Sequence, residues 1–196
     1  IFAGTWGEGV FRSEDDGDSW MPILQDLTSV CVHALAVGAD GCVFAGTIDG
    51  IFRCEEAVDA WTRVSTGLTS TNVYALAIGA GAYLFAGTHQ AGVFRSEDNG
   101  DLWTEANSGL IVASVGYIAL NANGDIFAKT PYGVFRSEDD GDSWKKVMLG
   151  IIAPVSSLAI NASGHLFMGS YQGYIFRSLD NGDSWEKISP DLTYND

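Results

Sequence analysis

Two carboxylates, Glu8 and Asp49, occupy equivalent places in short loops of neighbouring repeats. Hydrolysis of a glycosidic bond uses two carboxyl groups roughly 5–10 Å apart, and adjacent loops could supply that spacing. Solvated loop acids are the plainer reading, because position along a chain fixes no distance. The same loops read WGEG (6–9), IDG (48–50), HQAG (89–92), PYG (131–133) and YQG (171–173). They gather Trp6, His89, Tyr132, Tyr171 and Gln172, aromatic faces with few polar groups, which suits a glycan or a peptide ligand. Aromatics that merely cover strand ends would look the same. His33, His89 and His165 fall at non-equivalent places and suggest no metal cluster. No G-x-S-x-G nucleophile motif occurs. Acidic segments such as DDGD are rich in calcium-type oxygens. They are too short for an EF-hand-like loop and end in Trp where that loop has a bidentate Glu. Neither metal nor cofactor is therefore expected.

The elements that position these residues come from a repeat. Trp20, Trp61, Trp103, Trp144 and Trp185 are spaced by 41, 42, 41 and 41 residues. Nine residues before each lies Phe11, Phe52, Phe94, Phe135 or Phe176, and eight or nine before those lies Phe2, Phe44, Phe85, Phe127 or Phe167. Eight before each Trp lies Arg12, Arg53, Arg95, Arg136 or Arg177, leaving Arg63 as the only arginine outside the pattern. The third unit predicts four strands, A to D, over 73–78, 83–88, 92–96 and 103–106, rich in the β-branched and aromatic residues that a pleated surface favours. A–B turns such as GADG (38–41), NANG (121–124) and NASG (161–164) carry hairpin chemistry. Four short strands per unit of this length is the period of a β-propeller blade. The expected fold is all-β, a propeller of about five four-stranded antiparallel blades whose first blade lacks its innermost strand. One domain over 1–196 divides into repeats at about 1–31, 32–72, 73–114, 115–154 and 155–196.

Between strands C and D stand SEDDGDSW (13–20), SEDNGDLW (96–103), SEDDGDSW (137–144) and SLDNGDSW (178–185). This Ser-x-Asp-x-Gly-x-x-Trp pattern resembles the Asp box, or BNR repeat, of sialidases, sortilin-type receptors, some endoglucanases and photosystem II assembly factors. The resemblance implies a structural role, away from the active face, for Ser13, Asp15, Gly17 and Trp20. It implies the same for Ser96, Asp98, Gly100 and Trp103, for Ser137, Asp139, Gly141 and Trp144, and for Ser178, Asp180, Gly182 and Trp185. Gly suits a left-handed turn position, Ser and Asp side chains take up turn N–H groups, and Trp packs between blades. Unit two departs, reading CEEAVDAW over 54–61, with Glu56 for Asp and Val58 for Gly; a looser turn is expected there. Sialidases hold a substrate carboxylate with three arginines. An Arg filled in every unit reads instead as a blade-building position paired with nearby box carboxylates. The Arg-Ile-Pro motif and a Tyr/Glu nucleophile pair are absent, so sialidase activity is not carried over. The resemblance implies a secreted or cell-surface protein. The leading expectation is a non-enzymatic binding or assembly scaffold, and the alternative is a glycoside hydrolase-like propeller or a fragment of one, using Glu8 and Asp49.

Composition narrows the partners. The 196 residues carry 25 acidic and 10 basic side chains, a net charge of -15, which disfavours nucleic acid and anionic membranes as partners. At 46% hydrophobic and 12% aromatic this is nevertheless a folding composition. Sixteen of the acids lie in the five C–D turns, so the charge is one local feature repeated. No apolar run reaches membrane-spanning length, so membrane insertion is not expected. Three cysteines make no disulfide framework. If Phe44 faces Phe52, Cys42 faces Cys54, leaving a cross-strand disulfide and two buried thiols both open. Asn161 heads a glycosylation sequon but sits in a turn that already uses it. Ile1 in place of an initiator Met points to a processed, excised or trimmed start. Five blades in one compact ring are expected, and an open blade edge could pair with another chain.

Overall fold

Runs of Val, Ile, Phe and Ala broken by Gly- and Asn-containing turns form short antiparallel strands, as that composition favours. The computed structural model describes residues 1–55, 60–147 and 155–189. Among these described residues nineteen strands lie in five antiparallel sheets, each a simple meander. The first has three strands, β1 (Phe2–Gly4), β2 (Val10–Arg12) and β3 (Met21–Ile23), which are strands B, C and D of their unit. The second runs β4 (Val32–Val37), β5 (Val43–Thr47), β6 (Gly50–Cys54), β7 (Trp61–Arg63). The third runs β8 (Val73–Ile78), β9 (Leu84–Thr88), β10 (Gly92–Ser96), β11 (Thr104–Glu105). The fourth runs β12 (Tyr117–Leu120), β13 (Ile126–Thr130), β14 (Gly133–Ser137), β15 (Lys145–Lys146), and the fifth β16 (Val155–Ile160), β17 (Leu166–Ser170), β18 (Ile175–Ser178), β19 (Glu186–Lys187). The missing inner strand of the first sheet is as expected.

Register decides which way each Phe points. Phe44 lies opposite Arg53, not Phe52, and Phe85, Phe127 and Phe167 likewise lie opposite Arg95, Arg136 and Arg177. Directly opposed residues share a face and neighbours alternate, so the B-strand Phe and the C-strand Phe of one sheet point to opposite faces. Phe52 therefore packs in the cluster between the first and second sheets, while Phe44 packs between the second and third with Phe94. Phe85 and Phe135 fill the next junction, and Phe127 and Phe176 the one after. The same register corrects the cysteine expectation: Cys54 lies opposite Val43, one residue away from Cys42, because the 47–50 turn pairs Thr47 with Gly50. None of the three cysteines forms a disulfide among the described residues. Four clusters join consecutive sheets, and among the described residues none joins the fifth sheet to the first, so the expected ring shows four packed junctions.

Each box turn closes on itself. Ser96 Oγ donates to Asp98 Oδ1 at 2.8 Å and accepts the Gly100 N–H at 2.9 Å, and Asp98 Oδ1 accepts the Leu102 N–H. Ser13, Ser137 and Ser178 repeat these bonds with Asp15, Asp139 and Asp180. Asp or Asn precedes each box Gly because both positions are left-handed: Asp140 has φ 53° and Gly141 φ 89°. Hydroxyl bonds from Ser19 and Ser184, then backbone N–H bonds, hold the Asp15 and Asp180 carboxyls at about 2. In unit two, Glu56, Val58 and Asp59 lie outside the described residues.

Two kinds of bond then cross the described junctions, an indole bond at all four and an arginine bond at the last three. The indole N–H of Trp61, Trp103, Trp144 and Trp185 donates to the carbonyl of Ile23, Val64, Ala106 and Val147, one sheet back. In the other direction Arg53 reaches the Asn99 carbonyl and Asp101, and Arg95 reaches the Asp140 carbonyl and Asp142. Arg136, nearly buried, does the same with the Asn181 carbonyl and Asp183 while also pairing with Glu138 in its own turn. The arginines thus pair with box carboxylates as the sequence suggests, both in their own turns, as Arg12 with Glu14 and Arg95 with Glu97, and in those of the following sheet.

Candidate functional site

The B–C turns and the D–A connections meet at one end of the sheets. Backbone bonds tie them together: Val32 N–H donates to Thr5, His89 N–H to Asn72, and Val115 N–H to Thr88. Trp6 bridges Cys31 through its backbone. The incoming A strands then deviate from regular pairing. The register shifts between Val32 and Ala34, between Val73 and Ala75, and between Val155 and Ser157. Such a bulge leaves one residue unpaired and re-aims its side chain. The bulged residues are His33, Tyr74 and Ser156.

His33 and Tyr74 use that freedom to link two loop aromatics. The Trp6 and His33 ring centroids are 5.7 Å apart, His33 and Tyr74 5.3 Å, and Tyr74 and His89 5.8 Å. A row of four rings thus crosses the first three sheets. Trp6 is 81% exposed, and the other three are half-buried. His33 Nδ1 lies 3.1 Å from the Val73 carbonyl, which can only accept, so Nδ1 carries the hydrogen and Nε2 is left as an acceptor. Asn72 donates to the Tyr74 hydroxyl at 3.4 Å, and its buried Oδ1 has no hydrogen-bond partner among the described residues. The row therefore combines rings tilted by 42° along Trp6–His33–Tyr74, and edge-on at His89, with an imidazole acceptor at His33 Nε2.

Of the sequence-predicted site residues, the structure brings Trp6 and His89 into this row. Tyr132, Tyr171 and Gln172 stand exposed on the B–C turns of the fourth and fifth sheets, and the two tyrosines have no ring contact among the described residues. Glu8 and Asp49 are exposed; their backbone N–H groups are held by Thr5 Oγ1 and Thr47 Oγ1, and neither carboxylate has an ion-pair partner among the described residues. Sequence reasoning missed His33 and Tyr74 as site residues because strand A reads as a continuous apolar run. The available signal was variation between units at its second position, which is His33, Tyr74, Gly116 and Ser156 in turn.

The opposite end of the sheets carries the box turns. A concavity of about 330 Å³ lies there between the fourth and fifth sheets, lined by Asn121, Asn123, Ser163, Leu179 and Asn181 among others. Asn121 and Asn181 amides both bond Asp125 Oδ2, at 2.8 and 2.7 Å, and so staple the two sheets. Among the described residues no three His, Cys, Asp or Glu side chains gather in a way that could hold a metal, and no helix is long and apolar enough to cross a membrane.

No protein family model and no curated protein matches the sequence. Solved structures do match in fold. An ancestral GH74 enzyme superposes with a TM-score of 0.78 at 17% identity, over 95% of this chain and 29% of its own. The extracellular domain of the putative one-component system BT4673 from B. thetaiotaomicron gives 0.77 at 17%, over 95% and 26%. YCF48 bound to D1 peptide gives 0.65 at 16%, over 91% and 60%. The chain thus has the β-propeller fold and spans less than a third of the first of these neighbours. Identities this low carry the fold alone.

Proposed function

We propose that this chain is a non-enzymatic binding module that takes an extended ligand, a glycan or a peptide, along the loop-face aromatic row. The observation that carries the reading is the Trp6–His33–Tyr74–His89 row, with successive centroids between 5.3 and 5.8 Å apart. Aromatic surface in series, tilted by 42° along Trp6–His33–Tyr74 and edge-on at His89, suits a ligand with repeating apolar patches, and the His33 Nε2 acceptor suits a hydroxyl or amide group. Tyr132, Tyr171 and Gln172 extend the same end of the sheets and would contact a longer ligand. The neighbour YCF48, described with a peptide bound, supports binding on this fold, and the extracellular domains among the neighbours support a secreted or cell-surface location.

Glu8 and Asp49 fit hydrolysis less well. A general acid is ordinarily tuned by burial, and both groups are exposed. A combined glycan and peptide array, followed by a hydrolysis assay on every hit, separates the readings. Binding without turnover, lost in Trp6→Ala, supports the module. Turnover abolished by Glu8→Gln or Asp49→Asn overturns it in favour of a hydrolase.

A further inference from the structure

Two residues after the B-strand Phe, four of the five units carry Gly: Gly4, Gly46, Gly87 and Gly169. In the second and third sheets the close approach of the next A strand leaves no room for a side chain there. A Cβ on Gly46 would lie 2.8 Å from Val73 Cγ1, and one on Gly87 2.7 Å from the Val115 carbonyl. The fourth unit has Lys129 at this place. Its cross-strand partner changes with it. Gly46 lies opposite Ala34 and Gly87 opposite Ala75, whereas Lys129 lies opposite Tyr117. Two small residues have become two large ones on one face, at the loop end of the fourth sheet.

A third change accompanies these. Gly116 holds the second A-strand position, where the second and third sheets place His33 and Tyr74. A Cβ on Gly116 would lie 3.8 Å from Lys129 Nζ. The ammonium therefore stands beside the place from which the next ring of the row would project. Backbone bonds fix it near the far end of the row. Val115 N–H donates to the Thr88 carbonyl, just before His89, and Gly116 N–H donates to the Lys129 carbonyl at 3.1 Å. The inner strands β4, β8 and β12 thus contribute His33, then Tyr74, then a cation.

Lys129 is half-buried, and its ammonium has no hydrogen bond, ion pair or ring contact among the described residues. The arginines at the box end are, by contrast, held by carboxylates. A partly desolvated cation favours an anionic partner at hydrogen-bond distance. The chain's net charge of -15 opposes anions over most of the surface, so one cation beside the row fixes where an anionic group is accepted.

On the reading that the row binds a ligand, we infer that this ligand is an acidic glycan whose uronate carboxylate meets Lys129. Spacing favours a glycan over an acidic peptide: successive centroids lie 5.3 to 5.8 Å apart, shorter than the about 6.6 Å between same-face side chains of an extended peptide. Pyranose rings also pair apolar faces with hydroxyl rims, which suits aromatic surface beside an imidazole acceptor.

Calorimetric titration with oligogalacturonate, oligoguluronate and hyaluronan fragments tests it, each beside its methyl-esterified form, which removes the charge at nearly constant size. A short Glu-rich peptide is the comparison. At least one acidic oligosaccharide should bind at least about tenfold more tightly than its ester, as a charge-assisted hydrogen bond gives. The preference should vanish in Lys129→Met, persist in Lys129→Arg and shrink as salt is raised, with circular dichroism and melting unchanged in both variants. Trp6→Ala should weaken acid and ester alike, which separates the row from the cation. Equal binding of acid and ester, lost in Trp6→Ala, overturns the inference and leaves the row as a site for neutral ligands. An acid preference that survives in Lys129→Met also overturns it, as does binding of the Glu-rich peptide alone. Failure of every acidic probe to bind overturns it too, whereas the binding module itself stands or falls on the wider glycan and peptide array.

Discussion

Replacing the same box residue at two places should have very different costs. Trp103 is nearly fully buried, packs with Phe44, Phe94 and Val64, and donates its indole N–H to the Val64 carbonyl at 2.8 Å. Trp103→Phe keeps an aromatic ring but removes that donor, orphaning a buried carbonyl at a cost of about 1–3 kcal/mol. The smaller ring leaves a partial void worth about 1 kcal/mol more. The sum is about 2–4 kcal/mol, or on the order of 10 °C in Tm for a chain of this size. Trp20→Phe removes a half-exposed ring bonded only within its own turn. It should cost within about 0.5 kcal/mol. Urea unfolding followed by circular dichroism, with the midpoints compared at unchanged slope, reads both. Equal costs at the two positions would refute the claim that Trp burial arises from the preceding sheet rather than from the box itself.

Other expectations follow from the same geometry. Gly109→Ala should destabilise by more than about 1 kcal/mol, where a compatible site would gain from the same change, because its φ is 80° and a Cβ would lie 2.3 Å from the Trp144 carbonyl; thermal melts read this. Arg136→Met should lose about 1–2 kcal/mol, since this nearly buried guanidinium bonds the Asn181 carbonyl, Asp183 and Glu138, whereas the more exposed Arg177→Met should lose about 0.5 or less. The box carboxyls of Asp15, Asp98, Asp139 and Asp180 all titrate below their ordinary 3.8. Their lowered values stabilise the fold fully above that value, and the contribution is lost as pH falls through the folded values, so acid unfolding should set in between 3.8 and about 2. Ser184→Ala should move the Asp180 midpoint up from about 2, as a carboxyl NMR titration would show.

Strand identity was readable because the Trp, Phe and Arg spacings mark each unit independently of tertiary structure. The box chemistry was equally local, since Ser and Asp bond N–H groups two to four residues away. What lay beyond reach was non-local or irregular. The pairing of Phe44 with Arg53 depends on the 47–50 turn, and one residue of register inverts the face on which each ring packs. The forward reach of Arg53 to Asp101 needs two sheets in place. Trp6 and His89 stood out as loop aromatics, but their connection runs through His33 and Tyr74, placed by bulges that no periodicity announces.

The proposed binding row faces one direct measurement. The ligand with the highest array signal is titrated calorimetrically into the wild type, Trp6→Ala, Tyr74→Ala and Leu179→Ala. Leu179 lines the box-face concavity at the opposite end and serves as the rival location. Affinity should be at least about tenfold weaker in Trp6→Ala and Tyr74→Ala, the loss expected when a contacting ring is truncated, with Leu179→Ala unchanged. Full affinity in both row variants, or a loss confined to Leu179→Ala, would contradict it.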